Sequence, residues 1–180
     1  MRKIWTLAPL AAPILAIALA LTGCGQSMDE VQKEIDKQNA EASASAVANA
    51  KAGADYLAQM GKQPGIVSLP SGLMYKVVSS PDPNGVKPAA TDTVKINYEG
   101  KLIDGHVFDS SYARNQPATY PLPQLVQAWQ MAVPLMRKGD TWMLYVPPSL
   151  GYGERGGGDE IPPNSVLIFK IQLLDINPKA

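Results

Sequence analysis

Apolar residues follow a helical period in the first part of the chain that carries regular structure. Ser27-Met28-Asp29-Glu30 is typical of a capping box at the start of a helix, and Ala, Glu, Gln and Lys, all good helix formers, dominate from there to about Met60. The apolar residues that recur at helical spacing are Met28, Val31 and Ile35, then Val47, Ala50, Ala54 and Leu57. The pattern predicts one long helix over residues 27–60, ended by the Gly and Pro residues that follow.

From Ile66 onward the pattern changes to short β-prone segments. Val94, Ile96 and Tyr98 alternate with polar residues, which is typical of a half-buried antiparallel strand. Asp104-Gly105 is a hairpin turn signal before the next strand. Further strands are predicted over residues 73–78, 142–146 and 166–176.

One further helix is predicted among these strands, over residues 124–133. Its apolar stripe ends where Pro134 stops the helix, and it consists of Leu125, Val126, Trp129 and Val133. One helix against an antiparallel sheet is an α+β layer architecture. The sequence therefore predicts an α+β domain over residues 66–178, preceded by a helical spacer over residues 24–62.

The first residues have the pattern of a signal peptide. Met1-Arg2-Lys3 is a basic start, and an apolar stretch follows over residues 4–21, in which two prolines argue against the alternative of a transmembrane helix. The stretch ends in Leu21-Thr22-Gly23-Cys24, which resembles a bacterial lipobox. The interpretation is a signal peptide over residues 1–23 and a lipid on Cys24; an ordinary free thiol is the alternative. An exported lipoprotein follows, with the outer membrane favoured, facing the periplasm or the cell surface.

Composition excludes several classes of function. Lys+Arg and Asp+Glu are both 16 among 180 residues, so no electrostatic field favours nucleic acid. One His and one Cys rule out a catalytic triad, a multi-His metal site and an internal disulfide within one subunit. No metal and no cofactor are expected. The spacer lacks a sustained heptad of large apolar residues, which favours a monomer over a dimer formed through this helix.

Several short blocks resemble the FKBP family of peptidyl-prolyl isomerases over roughly residues 69–177. The closer likeness is to its bacterial Mip-like and FkpA-like branch, to which the segment over residues 69–77 also belongs. The blocks are Tyr98-Glu99-Gly100, Phe108-Asp109-Ser110-Ser111, Arg114-Asn115, Trp129, Gly139-Asp140, Tyr152-Gly153, Ile161-Pro162-Pro163-Asn164-Ser165 and Leu167-Ile168-Phe169. The resemblance implies a curved antiparallel sheet wrapped around one short helix, with a pocket between them.

The resemblance also implies the site and its ligands. Trp129 would be the pocket floor, Arg114 would pair with Asp109, and Tyr152 would donate a hydrogen bond to the substrate carbonyl. Catalytic roles fall to Tyr98, Asp109 and Tyr152, and substrate binding to Phe108, Leu125, Val126, Trp129, Ile161 and Phe169. The implied ligands are proline-containing polypeptides, with macrolides as candidate inhibitors, and the implied chemistry is non-covalent and needs no cofactor.

The residues also admit alternatives. Asp109 and Arg114 form a structural ion pair in one alternative, and Tyr152 is then an ordinary core aromatic. His106 is interpreted as a solvated loop residue, and Gly156-Gly157-Gly158 as a flap over the pocket. Ala118 and the pair Asp159-Glu160 depart from the family pattern and predict a wider pocket with a more acidic lip. The rival functions are a chaperone-like module that binds extended chains with little turnover and a lipoprotein that assembles with a partner through its spacer.

Replacing Cys24 tests the lipid anchor. Cys24→Ser removes the thiol to which the lipid would be attached, so the protein should move from the membrane fraction to the soluble fraction. Fractionation of cells that express the two forms checks this. Membrane association that is unchanged in Cys24→Ser would contradict lipidation at this residue.

Overall fold

The computed structural model describes residues 28–178. The predicted signal peptide, the predicted lipidation site Cys24 and Ser27 of the predicted capping box lie outside the described residues. Within the described range, no helix is both long enough and apolar enough to span a bilayer.

The described residues form an α+β structure, which confirms the predicted class. The helices are α1 (Met28–Met60) and α2 (Gln127–Ala132). The strands are β1 (Ile66–Ser68), β2 (Met74–Ser79), β3 (Thr93–Leu102), β4 (Val107–Ser110), β5 (Ala118–Pro121), β6 (Thr141–Val146) and β7 (Leu167–Ile176). The sequence predicted β2, β3, β4, β6 and β7 to within a few residues and missed the short strands β1 and β5.

Across residues 28–178 the strands form one antiparallel sheet in the order β1-β2-β6-β7-β3-β4, with β5 also paired to β3. The longest pairing joins β3 to β7 and runs from Val94 opposite Ile176 to Leu102 opposite Leu167. The other edge of β3 pairs with β5 near its start and with β4 near its end. The predicted Asp104-Gly105 hairpin joins β3 to β4, and the Gly105 φ of +95° explains the glycine there.

The core lies between one face of the sheet and α2. Burial alternates along β3, as the sequence pattern predicted, with every second residue from Val94 to Leu102 buried. Opposite this face, α2 buries Ala128, Trp129 and Ala132. The largest fully buried side chains of the described chain are Leu73, Ile96, Leu122, Met136, Leu144, Leu167, Ile171 and Leu173. Burial of this apolar surface is the main term that stabilises the fold.

The second helix is shorter than the predicted span of residues 124–133. Leu125 and Val126 have extended backbone, with ψ angles of 168° and 148°, so the α-helix begins only at Gln127. The side-chain amide of Gln130 reaches back and donates to the carbonyl of Leu125 at 2.7 Å. This bond gives the Leu125 carbonyl a donor in place of the backbone N–H that a longer helix would have provided. Leu125 and Val126 are thereby part of a loop and pack against the core from there.

Within residues 28–178 the chain divides into two units, with the boundary between Glu41 and Ala42. In the first, Gln32 donates a hydrogen bond to Asp36 along the surface of α1. The second contains the rest of α1 together with the sheet. In that part of α1, Val47 is 70% exposed, whereas Gly53 is buried. Of the apolar residues at helical spacing in this part of α1, Val47, Ala50 and Ala54 are exposed and Leu57 is half-buried. The buried position is Gly53 instead.

Asp140 is a buried carboxylate that organises the turn before β6. It is 1% exposed, and it accepts hydrogen bonds from the hydroxyl of Ser80 at 2.6 Å, the backbone N–H of Arg137 at 2.9 Å and the indole of Trp142 at 3.1 Å. Its own carbonyl accepts from the backbone N–H of Leu173. A buried carboxylate is stable only when it is well satisfied, and these bonds join the turn to β6 and β7.

Removal of this carboxylate should destabilise the fold. We expect Asp140→Ala to lower the free energy of unfolding by about 2–4 kcal/mol, because three donors, among them the buried indole of Trp142, lose their acceptor. Urea unfolding measures the change. Asp175→Ala is the matched control: it removes a carboxylate from the surface ion pair with Lys138 and should change the stability far less. Equal effects of the two changes would contradict a structural role for Asp140.

Candidate active site

Four aromatic side chains from different elements form the floor and walls of the candidate site. Trp129 of α2 meets the ring of Tyr98 at a centroid distance of 5.3 Å and an angle of 77°, and the ring of Phe169 at 5.1 Å and 86°. Phe108 meets Phe169 edge to face at 5.7 Å and 88°. Edge-to-face contacts at these distances are the favoured arrangement of aromatic rings. Trp129 is 4% exposed, and within residues 28–178 its indole nitrogen has no hydrogen-bond partner.

Gly100 makes room for this arrangement. It lies on β3, opposite Phe169 on β7 and Asp109 on β4. A Cβ atom at Gly100 would lie 2.6 Å from the ring of Phe108 and 2.7 Å from the ring of Phe169. Both distances are shorter than any ordinary contact, so only glycine allows the two rings to close over the strand.

A polar group lies beside the aromatic floor. The hydroxyl of Tyr98 donates to one oxygen of Asp109 at 2.5 Å, and the guanidinium of Arg114 forms an ion pair with the other. Arg114 also donates to the Tyr98 oxygen at 2.9 Å and lies over the Tyr98 ring, 5.7 Å from its centroid. The pair is nearly half exposed, and such ion pairs contribute at most about 1 kcal/mol to stability. The contacts therefore fix the orientation of Asp109 more than they stabilise the fold.

These contacts and burial shift the pKa values of Tyr98, Arg114 and Tyr152. Burial raises the pKa of Tyr98, and the hydrogen bond that its hydroxyl donates to Asp109 raises it further. The hydrogen bond to Asp109 raises the pKa of the Arg114 guanidinium. Burial, and then the negative charge of Asp109, raise the pKa of Tyr152. Both tyrosines therefore keep their protons at neutral pH and are available as donors.

The remaining wall comes from the loop between β6 and β7. Ile161 is 5% exposed and Tyr152 is 42% exposed. Between them, the backbone N–H of Gly157 donates to the carbonyl of Ile161 at 2.8 Å. A Cβ at Gly157 would lie 3.1 Å from both the Tyr152 ring and the Ile161 side chain. The glycine segment, predicted as a flap, is thus held against Ile161 and Tyr152.

His106 lies in the turn between β3 and β4 and is 51% exposed, in agreement with a solvated loop residue. Its Nε2 atom lies 2.7 Å from a carboxylate oxygen of Glu160. This contact joins the β3–β4 turn to the loop between β6 and β7. Asp159 is exposed beside Glu160.

The structure brings most of the predicted site residues into one region. Tyr98, Trp129 and Phe169 meet in the floor, Phe108 and Asp109 border it from β4, and Leu125 and Val126 pack against the same core from the loop before α2. Sequence reasoning missed Tyr120 of β5, whose side-chain hydrogen bond contributes to the raised pKa of Tyr98. Ala118 and Tyr120 lie opposite the buried Ile96 and Val94 of β3. Their alternate spacing is the signal that would have identified this strand and its inward face.

Comparison with known proteins identifies the family. Residues 84–174 match the model of the FKBP-type peptidyl-prolyl cis-trans isomerase, and residues 17–77 match that of the domain amino terminal to it. The chain therefore belongs to the FKBP-type peptidyl-prolyl cis-trans isomerase family, as its sequence motifs predicted.

Individual relatives agree with this assignment. The chain is 46% identical over 124 residues to the peptidyl-prolyl cis-trans isomerase Mip of Coxiella burnetii, covering 69% of this chain and 53% of that protein. It is 44% identical over 128 residues to the outer membrane protein MIP of Legionella longbeachae, covering 71% and 54%. The crystal structure of FkpA from Escherichia coli superposes with a TM-score of 0.73 at 33% identity, covering 91% of this chain and 78% of that one. The chain spans about half the length of these two curated relatives.

Substitution of Gly100 tests the aromatic walls. Gly100→Ala forces a methyl group against the Phe108 and Phe169 rings and should lower the free energy of unfolding by about 1–3 kcal/mol. Gly61→Ala is the control, because a Cβ there meets its nearest neighbour at an ordinary 3.5 Å. Chemical denaturation of both variants measures the difference. If Gly100→Ala were as stable as Gly61→Ala, the close approach of the two rings to β3 would be refuted.

Proposed function

We propose that this chain accelerates rotation about X-Pro peptide bonds in polypeptides that fold outside the cytoplasm. The single observation that carries the proposal is the aromatic floor, in which Trp129 lies edge to face with Tyr98 and Phe169. A proline ring fits such a surface, since it is apolar and has no N–H to satisfy. Membership of the FKBP family supports the same activity.

Rotation of an X-Pro peptide bond requires a water-poor pocket rather than a nucleophile. Amide resonance holds the peptide bond planar with a barrier of about 18–20 kcal/mol. The twisted transition state loses this resonance and becomes less dipolar, whereas water stabilises the planar form. A water-poor aromatic pocket therefore favours the twisted amide, which is differential binding of the transition state. The buried Trp129 indole, 4% exposed, supports this argument.

The polar residues would orient the substrate. Within the described chain no hydrogen bond involves the hydroxyl of Tyr152, and its raised pKa keeps the proton in place, so it would donate to the substrate carbonyl. Asp109, held by Tyr98 and Arg114, would set a fixed negative charge beside the rotating group. Phe108, Ile161 and the side chains before α2 would enclose the residues that flank proline.

The proposed setting is the bacterial envelope. A lipid on Cys24 would hold the chain at a membrane, with the outer membrane favoured. The Legionella longbeachae relative, named an outer membrane protein, supports this compartment. Substrates would be proline-containing segments of exported proteins, and macrolides would compete for the same floor. A monomer is favoured, with a dimer through α1 as the alternative.

Tyr152→Phe tests the proposed activity. Loss of one substrate hydrogen bond should lower kcat/KM for an X-Pro peptide by about two- to tenfold. Stability should not change, because the hydroxyl makes no bond to the rest of the described structure. Tyr75→Phe is the control: it removes a hydroxyl from a tyrosine of β2 that stacks on Trp142 at 4.3 Å. A cis–trans exchange assay on the peptide, together with urea unfolding, measures both variants.

Two outcomes would reject the proposal in different ways. Near-background exchange by the wild-type chain that still suppresses aggregation would favour the chaperone-like module. Equal activity of wild type and Tyr152→Phe, with wild type active, would remove Tyr152 from the proposed mechanism.

A further inference from the structure

The C-terminal part of α1 makes specific contacts with the segment that follows Ile161. Asn49 donates its side-chain amide to the carbonyl of Pro163 at 3.1 Å. Gly53, the one buried residue of α1 within residues 28–60, lies so close to Val166 that a Cβ would be 2.7 Å from its Cγ2 atom. Val166 is 2% exposed, so it has little room to move. One turn further along, the Tyr56 ring lies 6.3 Å from that of Tyr145 on β6.

Asn164 joins these helix contacts to the candidate site. Its side-chain amide donates to the carbonyl of Ala46 on α1 at 3.3 Å, and its backbone N–H donates to the carbonyl of Gly153 at 2.9 Å. Gly153 follows Tyr152 directly. The φ angle of Asn164 is +59°, a conformation that asparagine adopts more readily than most residues. One residue thus connects the helix to the loop that carries Tyr152.

A recess of about 90 Å³ lies beside these contacts, lined by Asn49, Pro162 and Val166 among others. Side chains around a void have no partners on that side. Next to the recess, the helix is joined to the segment by the hydrogen bonds of Asn49 and Asn164 and by the approach of Gly53 to Val166. Ile161 is two residues before Pro163, the acceptor of the Asn49 bond.

We propose that residues 46–56 of α1 are a positioning element of the isomerase, which fixes the Pro162–Val166 segment and thereby the orientation of Ile161 and Tyr152. Asn49 and Gly53 on the helix, and Asn164 on the segment that it fixes, are the positioning residues. The expected effect on catalysis rests on the proposed function, whereas the fixing of the Pro162–Val166 segment by the helix is independent of it. The working unit then includes α1 from about Ala46, rather than only the sheet and α2.

The first experiment removes the link at Asn164 without straining the backbone. Asn164→Gly keeps the positive φ and the bond to Gly153, but deletes the amide that reaches Ala46. We expect kcat/KM for an X-Pro peptide to fall about three- to tenfold, as for loss of one to two positioning contacts. The backbone amide NMR signals of Gly153 and Ile161 should shift in the same variant.

Asn177→Gly is the matched control. Asn177 also has a positive φ, of 49°, and its side chain bonds to Asp92 and to the backbone N–H of Thr93. It lies at the end of β7, roughly 26 Å along the strand from Phe169 at about 3.3 Å per residue. This variant should lose stability, while its kcat/KM and the two amide signals stay as in wild type.

The second experiment acts from the helix side. Gly53→Ala raises the intrinsic helix propensity, but sets a methyl group against Val166. We expect the same shifts of the Gly153 and Ile161 signals and a similar loss of kcat/KM. In a chain that already carries Val166→Ala, the methyl group has space, so adding Gly53→Ala should cause neither effect.

The outcomes separate this inference from the proposed function. If wild type shows no exchange activity, the proposed function fails, and the amide signals alone decide the structural coupling. Unmoved signals in Asn164→Gly and Gly53→Ala overturn the inference, as do moved signals with kcat/KM within twofold of an active wild type. Equal losses of kcat/KM in Asn164→Gly and Asn177→Gly also overturn it, because the effect would then be general destabilisation.

Discussion

The antiparallel pairing of β3 with β7 is the constraint on which the rest of the site depends. Its register sets Gly100 opposite Phe169 and Tyr98 opposite Ile171. Because side chains alternate along a strand, a slip of one residue between β3 and β7 would place the Tyr98 and Phe169 rings on opposite faces of the sheet. The absence of a side chain at Gly100 then lets the Phe108 ring approach from β4 and close against Phe169. One set of backbone hydrogen bonds therefore determines whether an aromatic floor exists.

The polar half of the site depends on the same register but on a different interaction. Asp109 is 40% exposed, and Tyr98 and Arg114 hold both of its oxygens. The two donors come from β3 and from the turn after β4, so the carboxylate is oriented by elements that flank it. The aromatic floor and the fixed charge share Tyr98, whose ring faces Trp129 while its hydroxyl faces Asp109. A change at Tyr98 would alter both at once.

Sequence reasoning succeeded where a strong periodic pattern or a family motif was present. The alternation of Val94, Ile96 and Tyr98 identified β3, and the motif blocks identified the floor and the Asp109–Arg114 pair. Sequence reasoning failed where a packing contact depends on the absence of a side chain, as at Gly53. The face of α1 that packs in the second unit is centred on Gly53 and Asn49, and a hydrophobic pattern selects Val47 and Ala50 instead.

Two elements near the site were also missed or misplaced. β5 is four residues long and contains a proline, so its alternation is too short to stand out, and Tyr120 was missed with it. The start of α2 was misplaced because a side-chain bond from Gln130 satisfies the extended loop before it, and no local propensity encodes that bond.

The contacts of Asn164 determine whether the domain can be separated from the preceding helix. A fragment that begins at Ile66 would retain every side chain of the candidate site and every strand of the sheet. It would also expose Val166, leave the Pro163 carbonyl without its donor and free the Asn164 amide. The boundary at which this domain can be cut from the chain is therefore not the change from helix to strand near Ile66. Transfer of this domain to another protein would need the last four turns of the preceding helix to travel with it.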